Sequence, residues 1–597
     1  MTSCCFFFSN MLITRRNFVF LYNCRLRAQL LHKVGLVPVG GIDINIENYR
    51  IMKYLKLVTA TAALALAVVP SFGQSKSFKL GQWIEIQNAI LKELNQSYVD
   101  SLPLDRIEKV GIEAMLENLD PYTMYVPEED NEDFEFMIGK TYGGIGAIIY
   151  KPTKESNVVI NEPYMNSPAY KVGLRCGDEI VAIDGTGVHG FDASGATSRM
   201  KGKPGTSVVF DVKKLRGGDG WNAGDTVKVT VVRERIHLPD VEYAGMVNDS
   251  TGYILQTGFT ENVSADVRNA YFKLKKQGMK QLVLDLRGNG GGLMSEAINI
   301  VSLFVPKGSL VVSSKGNSDD SKREYRTVTE PVDIQIPIIV LVDSGTASSS
   351  EIISGAFQDL DRATILGRRT YGKGLVQSVR PLPYNGQLKV TTAKYYTPSG
   401  RCVQAIDYSH RNSDGSVGYI PDSLTHKFFT AHGRPVRDGG GITPDDTLKV
   451  REYSRLAFSL VLNGVIDRYS LEFARKHESI PALEDFHFSD ADYADFIEFA
   501  KGQTFDYRSS AKTLYDQMKK ELEKDGMAES MKAELDALGK RIDIEKEEFL
   551  RMKKAEIIPF IEEEIATRYY YQEAGVKIRL RYDDQLREAL GKPRVKF

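Results

Sequence analysis

The sequence predicts a multidomain α+β protein built around an α/β core, and three observations lead to that prediction. The chain has 597 residues, which is enough for several domains of about 100–200 residues each. Between residues 252 and 388, continuous apolar runs typical of buried strands alternate with helical patterns. Short β runs with many glycines precede this part, and charged amphipathic helical patterns follow it.

The charge and composition argue against several classes of protein. The net charge is -1, from 77 basic and 78 acidic residues, so the balance gives no reason to expect a nucleic-acid partner. The histidines are scattered along the chain. The two cysteines beyond residue 73, Cys176 and Cys402, allow one disulfide but match no metal-binding spacing. We therefore expect neither a metal nor another cofactor.

The N-terminal part predicts export. Residues 52–73, MKYLKLVTATAALALAVVPSFG, have the layout of a secretory signal peptide, with a basic start, an apolar run and a small-residue exit. The apolar run is shorter than the roughly 20 residues of a membrane span, and a retained membrane anchor is the alternative interpretation. We interpret residues 1–51 as a non-native or extended leader. The expected location is the periplasm, with or without membrane association.

Four regions follow the signal-like segment. Residues 74–140 form a helical region, within which LDPYTMYVP interrupts the helical spacing of apolar residues. Residues 141–236 form a β-rich module with the strands AIIY, NVVINEP, EIVAIDG, SVVFDVKKL and TVKVTVVRERI. Residues 237–450 form the α/β core, whose sheet we expect to be covered on both faces. Residues 451–597 are charged and helical, and they form either solvated helices with one apolar stripe or an arm for dimerisation or substrate clamping.

Ser348 is the first candidate for chemistry. It follows the apolar strand PIIVLV at the start of a predicted helix, where free backbone N–H groups and the helix dipole favour negative charge. That position suits a nucleophile, because a developing oxyanion needs such donors. The alternative interpretation is structural, since Ser348 and Glu351 also fit the capping box S-x-x-E.

Lys373 is the second candidate, as the base that a nucleophilic serine needs. No histidine lies between residues 252 and 388, and a neutral lysine can replace histidine in this role. No acid flanks Lys373 in the sequence, and Arg368 and Arg369 would lower its pKa further if they face it. A solvated loop lysine is the alternative. GRRTYGKG also approaches a phosphate-binding loop, but Gly374 replaces the required hydroxyl residue and a strand pattern follows.

Several motifs in order resemble the carboxy-terminal processing (tail-specific) proteases, the S41 family of serine peptidases. The resemblance covers roughly residues 78–447, and its motifs are LDPYTMYV, DLRGNGGG, TASSSEI, GRRTYGKGLVQ, TTAKYYTPSGR and GGGITPDD. It implies a ClpP/crotonase-like peptidase core with an inserted PDZ domain.

The family pattern places the catalytic groups on named residues of this chain. It implies that Ser348 is the nucleophile, Lys373 the general base and Gln377 the residue that orients the lysine. We expect Lys373 and Gln377 to share one face of a strand, because residues i and i+4 do so. For the oxyanion it implies backbone N–H donors. We assign these to Ser349 and to Gly291 in the glycine cluster, and the two glycines beside Gly291 are the alternatives to it. Without the motif, Gln377 would be a surface residue and the glycines a turn.

The β-rich module resembles a PDZ domain, and G-L-x-x-G-D at residues 173–178 favours this over any other glycine-rich β domain. The resemblance implies that a peptide adds to an edge strand while backbone N–H groups bind its terminal carboxylate. The residues of the expected peptide-binding loop are Gly144, Ile145, Gly146 and Ala147.

The resemblance as a whole implies an exported serine endopeptidase that cleaves proteins near their C-termini or in unstructured tails. The mechanism would be a Ser-Lys acyl-enzyme mechanism, and the partners would be protein or peptide substrates with free C-termini. Two other hypotheses remain at this point. One is a catalytically inert, PDZ-bearing peptide-binding scaffold, and the other is a Ser-His-Asp esterase, which the missing core histidine disfavours.

Overall fold

The computed structural model describes residues 76–151, 154–217 and 220–592. The predicted leader and signal segment, residues 1–73, lie outside these residues. Within them, no helix combines the length and apolarity that a membrane crossing requires. The chain divides into two compact units, residues 1–104 and 105–597. The described part of the first unit is helix α1 (Lys76–Ser97), which has no buried residue.

The second unit begins with a segment that the sequence predicted as helical only. It contains α2 (Leu104–Glu117), strand β1 (Met124–Val126) and α3 (Asn131–Gly139). Strand β1 pairs antiparallel with the core strand Gln387–Tyr396. The sequence predicted the interruption of this helical region at LDPYTMYVP but not strand β1, which forms because the extended chain between the two prolines pairs with a core sheet.

The structure contains the strands that the sequence predicted for the β-rich module, apart from a break in the last one. Its elements are β2 (Thr141–Gly144), β3 (Ala147–Tyr150), β4 (Val158–Pro163), α4 (Pro168–Lys171), β5 (Glu179–Ile183), β6 (Thr186–Gly187), α5 (Ala193–Met200), β7 (Ser207–Lys213), β8 (Thr226–Val232) and β9 (Glu234–His237). Five strands form a sheet in the order β3-β4-β5-β7-β8, with β6 added to β5, and β2 pairs with β9. Strand β3 therefore lies at an edge of the sheet.

The single strand predicted over residues 226–236 is broken at Arg233. β8 pairs with β7, whereas β9 pairs with β2 in a separate two-stranded sheet. The Arg233 side chain is buried and donates hydrogen bonds to the backbone oxygens of Met200, Arg199 and Ser207. The alternation of residue types continues through Arg233, so the sequence gives no sign of the break. The break results from hydrogen bonds between Arg233 and residues that are distant in sequence.

The described core contains two large sheets, two small two-stranded sheets (β19-β20 and β21-β22) and three α-helices. Its elements are β10 (Val241–Met246), β11 (Thr251–Gln256), α6 (Val263–Lys276), β12 (Gln281–Asp285), α7 (Met294–Ser302), β13 (Leu310–Lys315), β14 (Arg323–Arg326), β15 (Ile338–Val342), α8 (Ser349–Asp359), β16 (Thr364–Gly367), β17 (Leu375–Pro381), β18 (Gln387–Tyr396), β19 (Ile406–Arg411), β20 (Val417–Tyr419), β21 (Lys427–Phe429), β22 (Pro435–Arg437) and β23 (Asp446–Thr447). The six-stranded sheet has the order β10-β11-β12-β15-β16-β23 and is parallel except at β10. The second sheet has the order β1-β18-β13-β14, with β17 also paired to β18.

The C-terminal region is helical as predicted and packs against the core. Its helices are α9 (Arg455–Leu462), α10 (Val465–Lys476), α11 (Asp490–Lys501), α12 (Ser510–Lys524), α13 (Lys532–Ile542), α14 (Lys546–Met552), α15 (Lys554–Arg581) and α16 (Asp584–Gly591). Alternate residues of a strand point to opposite faces of its sheet. Leu284 and Val340 belong to the cluster formed with α6, α7 and α8, whereas Val283 and Leu341 cluster with Val576 of α15. The six-stranded sheet is therefore covered on both faces, and its second cover comes from the region for which we expected solvated helices or an arm.

The same C-terminal helices also contact the β-rich module. The Arg568 side chain of α15 is 1% exposed and pairs with Asp467 and with Glu564. Its guanidinium group also donates to the backbone oxygen of Asn161 in β4 at 3.1 Å. A second, exposed contact joins the same two regions, where Arg475 pairs with Glu179 at 3.0 Å.

We expect Arg568→Ala to lower the free energy of unfolding by about 3 kcal/mol, because it leaves partly buried carboxylates without their cation. The matched control is Arg475→Ala at the exposed contact, for which we expect a change of about 1 kcal/mol or less. Urea unfolding of the two variants measures both. Equal effects would show that Arg568 does not hold the two regions together.

Candidate active site

Ser348 lies where the sequence placed it, between the end of β15 and the start of α8. It is the N-cap residue of α8 and has a φ of 57°, a region that favours glycine. A residue held in such a conformation costs roughly 1–3 kcal/mol and is typical of functional sites. The capping box is also present, since the Ser348 N–H donates to Glu351 Oε2 at 2.9 Å. The structural interpretation of this serine and the catalytic one are therefore compatible.

A cavity of about 450 Å³ brings the predicted catalytic residues together. It is lined by Ser348, Ser349, Gly291, Lys373 and Gln377, all of which the sequence had proposed. No histidine lines this cavity within the described part of the chain, which removes the support for a Ser-His-Asp site.

Glu351 joins the serine turn to the lysine loop through one buried carboxyl group. Its Oε2 accepts the N–H groups of Ser348 at 2.9 Å and Lys373 at 2.8 Å. Its Oε1 accepts the N–H of Gly372 at 2.8 Å and the hydroxyl of Thr370 at 2.5 Å. Burial raises the pKa of Glu351 to about 7, although these donors favour the charged form. Sequence reasoning assigned this residue to helix capping alone.

Lys373 is half-buried and its ammonium nitrogen lies 4.1 Å from the centroid of the Tyr122 ring, as in a cation–π contact. Burial and then the charge of Lys389 lower the pKa of Lys373 to about 8, whereas Asp120 and Glu351 act in the opposite direction. The expectation that no acid is near was wrong, because residues distant in sequence supply two carboxyl groups. Arg368 and Arg369 are not the cations that act on Lys373.

Gln377 lines the cavity as expected, but its position on the strand relative to Lys373 differs from the expected one. Strand β17 begins at Leu375, so Lys373 precedes it, and a bulge lies between Val376 and Gln377. The expected i, i+4 relation on one strand is therefore wrong, because it requires an uninterrupted strand. The Gln377 side chain donates to Thr391 Oγ1 at 3.1 Å, across to β18.

The glycine cluster lies against the serine turn. Gly291 has a φ of 95°, and a Cβ there would lie 2.7 Å from Ser348 Cβ and 2.9 Å from Ser349 N. Only glycine permits this approach without displacing the turn. The Gly291 N–H donates to the Asn289 side chain at 2.9 Å, and within the described residues the Ser349 N–H donates to no group. The two expected oxyanion donors thus lie on adjoining segments.

Arg287, at the start of this glycine turn, has partners that the sequence did not indicate. Its guanidinium group pairs with Asp285 in β12 and with Asp583 Oδ2 at 2.6 Å. It also donates to Gln585 Oε1 of α16 at 2.9 Å. The C-terminal region therefore supports the turn that carries Gly291.

The expected peptide-binding loop lies outside this cavity, in the β-rich module. The backbone oxygens of Ile145 and Gly146 accept hydrogen bonds from Ala169 and Tyr164, which fixes the loop. The N–H groups of the same two residues donate to nothing within the described chain. Ala147 follows as the first residue of the edge strand β3, and Gly144 ends β2.

The described residues contain no group of three or more His, Cys, Asp or Glu side chains arranged to hold a metal. Cys176 and Cys402 are both free thiols, so the disulfide that the sequence allowed is not formed. The residues after Lys373 form a strand and not the helix that a phosphate-binding loop requires.

Comparisons with known proteins match three parts of the chain. The model of "Peptidase family S41" matches residues 250–409, that of the "PDZ domain" residues 159–214, and that of the "Probable PDZ-protease, C-terminal helical domain" residues 456–591.

Two curated relatives illustrate the similarity. A carboxy-terminal-processing protease of Bartonella bacilliformis is 33% identical over 322 residues, which are 53% of this chain and 71% of that one. A probable CtpA-like serine protease of Staphylococcus aureus is 32% identical, and the match covers 53% of this chain and 62% of that one. Among solved structures, a photosystem II D1 C-terminal processing protease is 28% identical with a TM-score of 0.32, and the match covers 60% of this chain and 86% of that one.

Replacing the buried carboxyl group by Glu351→Gln tests whether it holds the site together. The amide keeps one accepting oxygen but turns an N–H₂ group towards backbone donors. We therefore expect a loss of at least about 2 kcal/mol in the free energy of unfolding. The variant should also lose catalysis. Glu330→Gln, at an exposed carboxyl group of the core, is the matched control and should change stability by about 1 kcal/mol or less. A Glu351→Gln variant with wild-type stability would contradict this role.

Proposed function

Because the chain belongs to the S41 family of carboxy-terminal-processing serine proteases, we propose that it is an endopeptidase that uses Ser348 and Lys373 as a catalytic dyad. Its substrates are proteins with free C-termini or unstructured tails. The two sheets of the core, of six and five strands, support the ClpP/crotonase-like arrangement that the sequence resemblance implies.

The observation that carries this proposal is the pairing of a strained serine with a half-buried lysine in one cavity. Ser348 and Lys373 both line it, and the Glu351 carboxyl group ties their backbones together. A lysine whose pKa is about 8 has a neutral fraction near pH 7 that is far larger than that of an ordinary lysine. It can therefore accept a proton from a hydroxyl group.

The reaction proceeds through an acyl-enzyme. Neutral Lys373 takes the Ser348 hydroxyl proton while the serine oxygen attacks the peptide carbonyl carbon. The resulting ammonium group gives that proton to the departing amine as the C–N bond breaks. Lys373, neutral again, then takes a proton from water as the water attacks the ester, and the ammonium returns that proton to Ser348. The bound substrate is hydrolysed with no other reactant.

The oxyanion accepts hydrogen bonds from backbone N–H groups of two segments, the start of α8 and the glycine cluster. Ser349 begins α8, where the helix dipole favours negative charge. Gly291 supplies the second N–H group, which exchanges its hydrogen bond to the Asn289 side chain for one to the oxyanion. Each such donor contributes about 3–4 kcal/mol to catalysis in other serine proteases.

The side chains occupy resting contacts in the free protein. The Lys373 amine lies over Tyr122, and Gln377 bonds to Thr391. Catalytic hydrogen bonds are often long or unformed without substrate. In the proposed reaction these two side chains leave their resting contacts, so that the amine meets the Ser348 hydroxyl and the Gln377 amide meets the amine within the cavity that all three residues line.

The PDZ domain supplies a second binding site, for the substrate's terminal carboxylate. The unpaired N–H groups of Ile145 and Gly146 support this role, and so does the edge position of β3, to which a peptide strand can add. The domain thus recruits a tail, and the core cleaves it.

Export of the chain to the periplasm is part of the proposal and is supported by the sequence of residues 52–73 alone. Fractionation of cells that express the full chain tests it. We expect a mature protein that starts near Gln74 in the periplasmic or membrane-associated fraction. Full-length protein confined to the cytoplasm would contradict export.

The catalytic dyad is tested on an unfolded protein with wild type, Ser348→Ala and Lys373→Ala. We expect each variant to lose at least about a thousandfold in kcat, since dyad members act as a unit. Lys394→Ala, an exposed lysine of β18, is the matched control and should cleave as wild type does. Full cleavage by Ser348→Ala would refute the mechanism. Tail binding without cleavage by the wild type would instead show an inert scaffold.

The tail-binding role is tested with Ser348→Ala protein, which holds a peptide without cutting it. A labelled peptide with a free C-terminal carboxylate should bind at least about tenfold more tightly than the same peptide with a C-terminal amide, because the amide lacks the charge that backbone N–H groups bind. Fluorescence anisotropy measures both. Equal affinities would exclude carboxylate recognition.

A further inference from the structure

The active-site cavity contains a basic side chain that the proposed reaction does not use. Three lysines line the cavity, namely Lys140, Lys373 and Lys389, and no Asp or Glu of the described chain does so. Lys140 pairs with Asp240 at 2.6 Å, so its charge is compensated. Lys389 is half-buried in β18, and its side chain makes no hydrogen bond or ion pair among the described residues, although its backbone belongs to the sheet. Burial lowers the pKa of Lys389 too, and a half-buried cation without a partner is unfavourable and calls for an explanation.

Strand register places Lys389 on the face of the sheet that carries Gln377. Gln377 of β17 pairs with Thr391 of β18, and Val379 pairs with Lys389. Thr391 and Lys389 are two residues apart on one strand, so their side chains point to the same face. Directly paired residues also share a face, which makes Gln377 and Lys389 diagonal neighbours about 5–8 Å apart. Lys389 therefore projects into the place where the Lys373 amine must work.

The charged groups that face the Lys373 amine come from three elements. Asp120 precedes β1 and Glu351 lies in α8, and both carboxyl groups favour the ammonium form. Lys389 of β18 opposes them and is the one cation that lowers the pKa of Lys373. The Tyr122 ring lies against the amine, and its hydroxyl forms a hydrogen-bonded cluster with the hydroxyls of Tyr371 and Tyr408.

We propose that Lys389 is a positioning residue for the reaction, whose ammonium group keeps the neighbouring Lys373 amine neutral on the cavity face that Gln377 shares. The proposal rests on the proposed function, because it takes Lys373 as the base. Two like charges in one cavity cannot both be retained without cost, so a proton on Lys389 disfavours a proton on Lys373. The charge of Lys389 thus offsets the charges of Asp120 and Glu351, which favour the ammonium form of Lys373.

The test compares Lys389→Met, Lys389→Arg and the control Lys394→Met by the pH dependence of kcat/KM on a tailed protein. We expect the acidic limb, near pH 8 in the wild type, to move up in Lys389→Met by about half a unit to one unit. That shift corresponds to about a three- to tenfold loss of kcat/KM at pH 7, and the loss disappears at pH values above the limb. Lys389→Arg, which is charged at every working pH, should keep the limb at or below its wild-type position.

A second measurement separates this role from substrate binding. Acylation of Ser348 by a small p-nitrophenyl ester makes no use of a tail, and its pH limb should move by the same amount in Lys389→Met. A raised KM on the tailed protein with both limbs unchanged would show that Lys389 binds substrate, and it would overturn the proposal. An unchanged limb in folded Lys389→Met, as judged by circular dichroism, would also overturn it.

Failure of this inference is distinguishable from failure of the proposed function. If Lys373→Ala retains activity, Lys373 is not the base and the mechanism itself fails. If Lys373→Ala is inactive while Lys389→Met keeps the wild-type limb, the dyad stands and only the role of Lys389 is excluded. If Lys389→Met does not fold, the Lys389→Arg profile decides, since a limb moved to higher pH in that variant contradicts the proposal.

Discussion

The carboxyl group of Glu351 is the interaction on which the active site depends. It accepts backbone N–H groups from the serine turn and from the lysine loop, which are separated in sequence by α8 and β16. One rigid group thereby fixes the backbone of the proposed nucleophile relative to that of its proposed base. The cost is a negative charge near Lys373, which favours the ammonium form. Burial reduces that cost, because it raises the pKa of Glu351 to about 7 and so lowers its charge near neutral pH.

The lowered pKa of Lys373 is the net result of several opposing effects and not of a single neighbour. Desolvation and a second cation lower its pKa, two carboxyl groups raise it, and the ring of Tyr122 holds the resting amine. The rest of the fold maintains this balance. The C-terminal helices cover the second face of the six-stranded sheet, and Asp583 holds Arg287 at the start of the glycine turn. The proposed catalytic groups therefore rest on a scaffold that includes the C-terminal helices as well as the core.

Local patterns were enough to predict an α/β core with a sheet covered on both faces, the strand-to-helix turn at Ser348 and the strand after Lys373. These features depend on apolar periodicity and on short motifs. Contacts between distant segments were not predictable in this way. Nothing near Lys373 in the sequence indicates Asp120 or Lys389, and nothing in the alternation of residues 226–236 indicates that Arg233 turns inward. The bulge beside Gln377 likewise depends on pairing with β18 and leaves no local pattern.

The central claim is that the Lys373 amine is neutral enough to act as a base, and a direct titration tests it. The measurement is the pH dependence of the lysine ¹³Cε shift by NMR in Ser348→Ala protein, with Lys373→Arg used to assign the signal. The account predicts a midpoint of about 8 for Lys373. A midpoint near the ordinary lysine value of about 10.4 would contradict it.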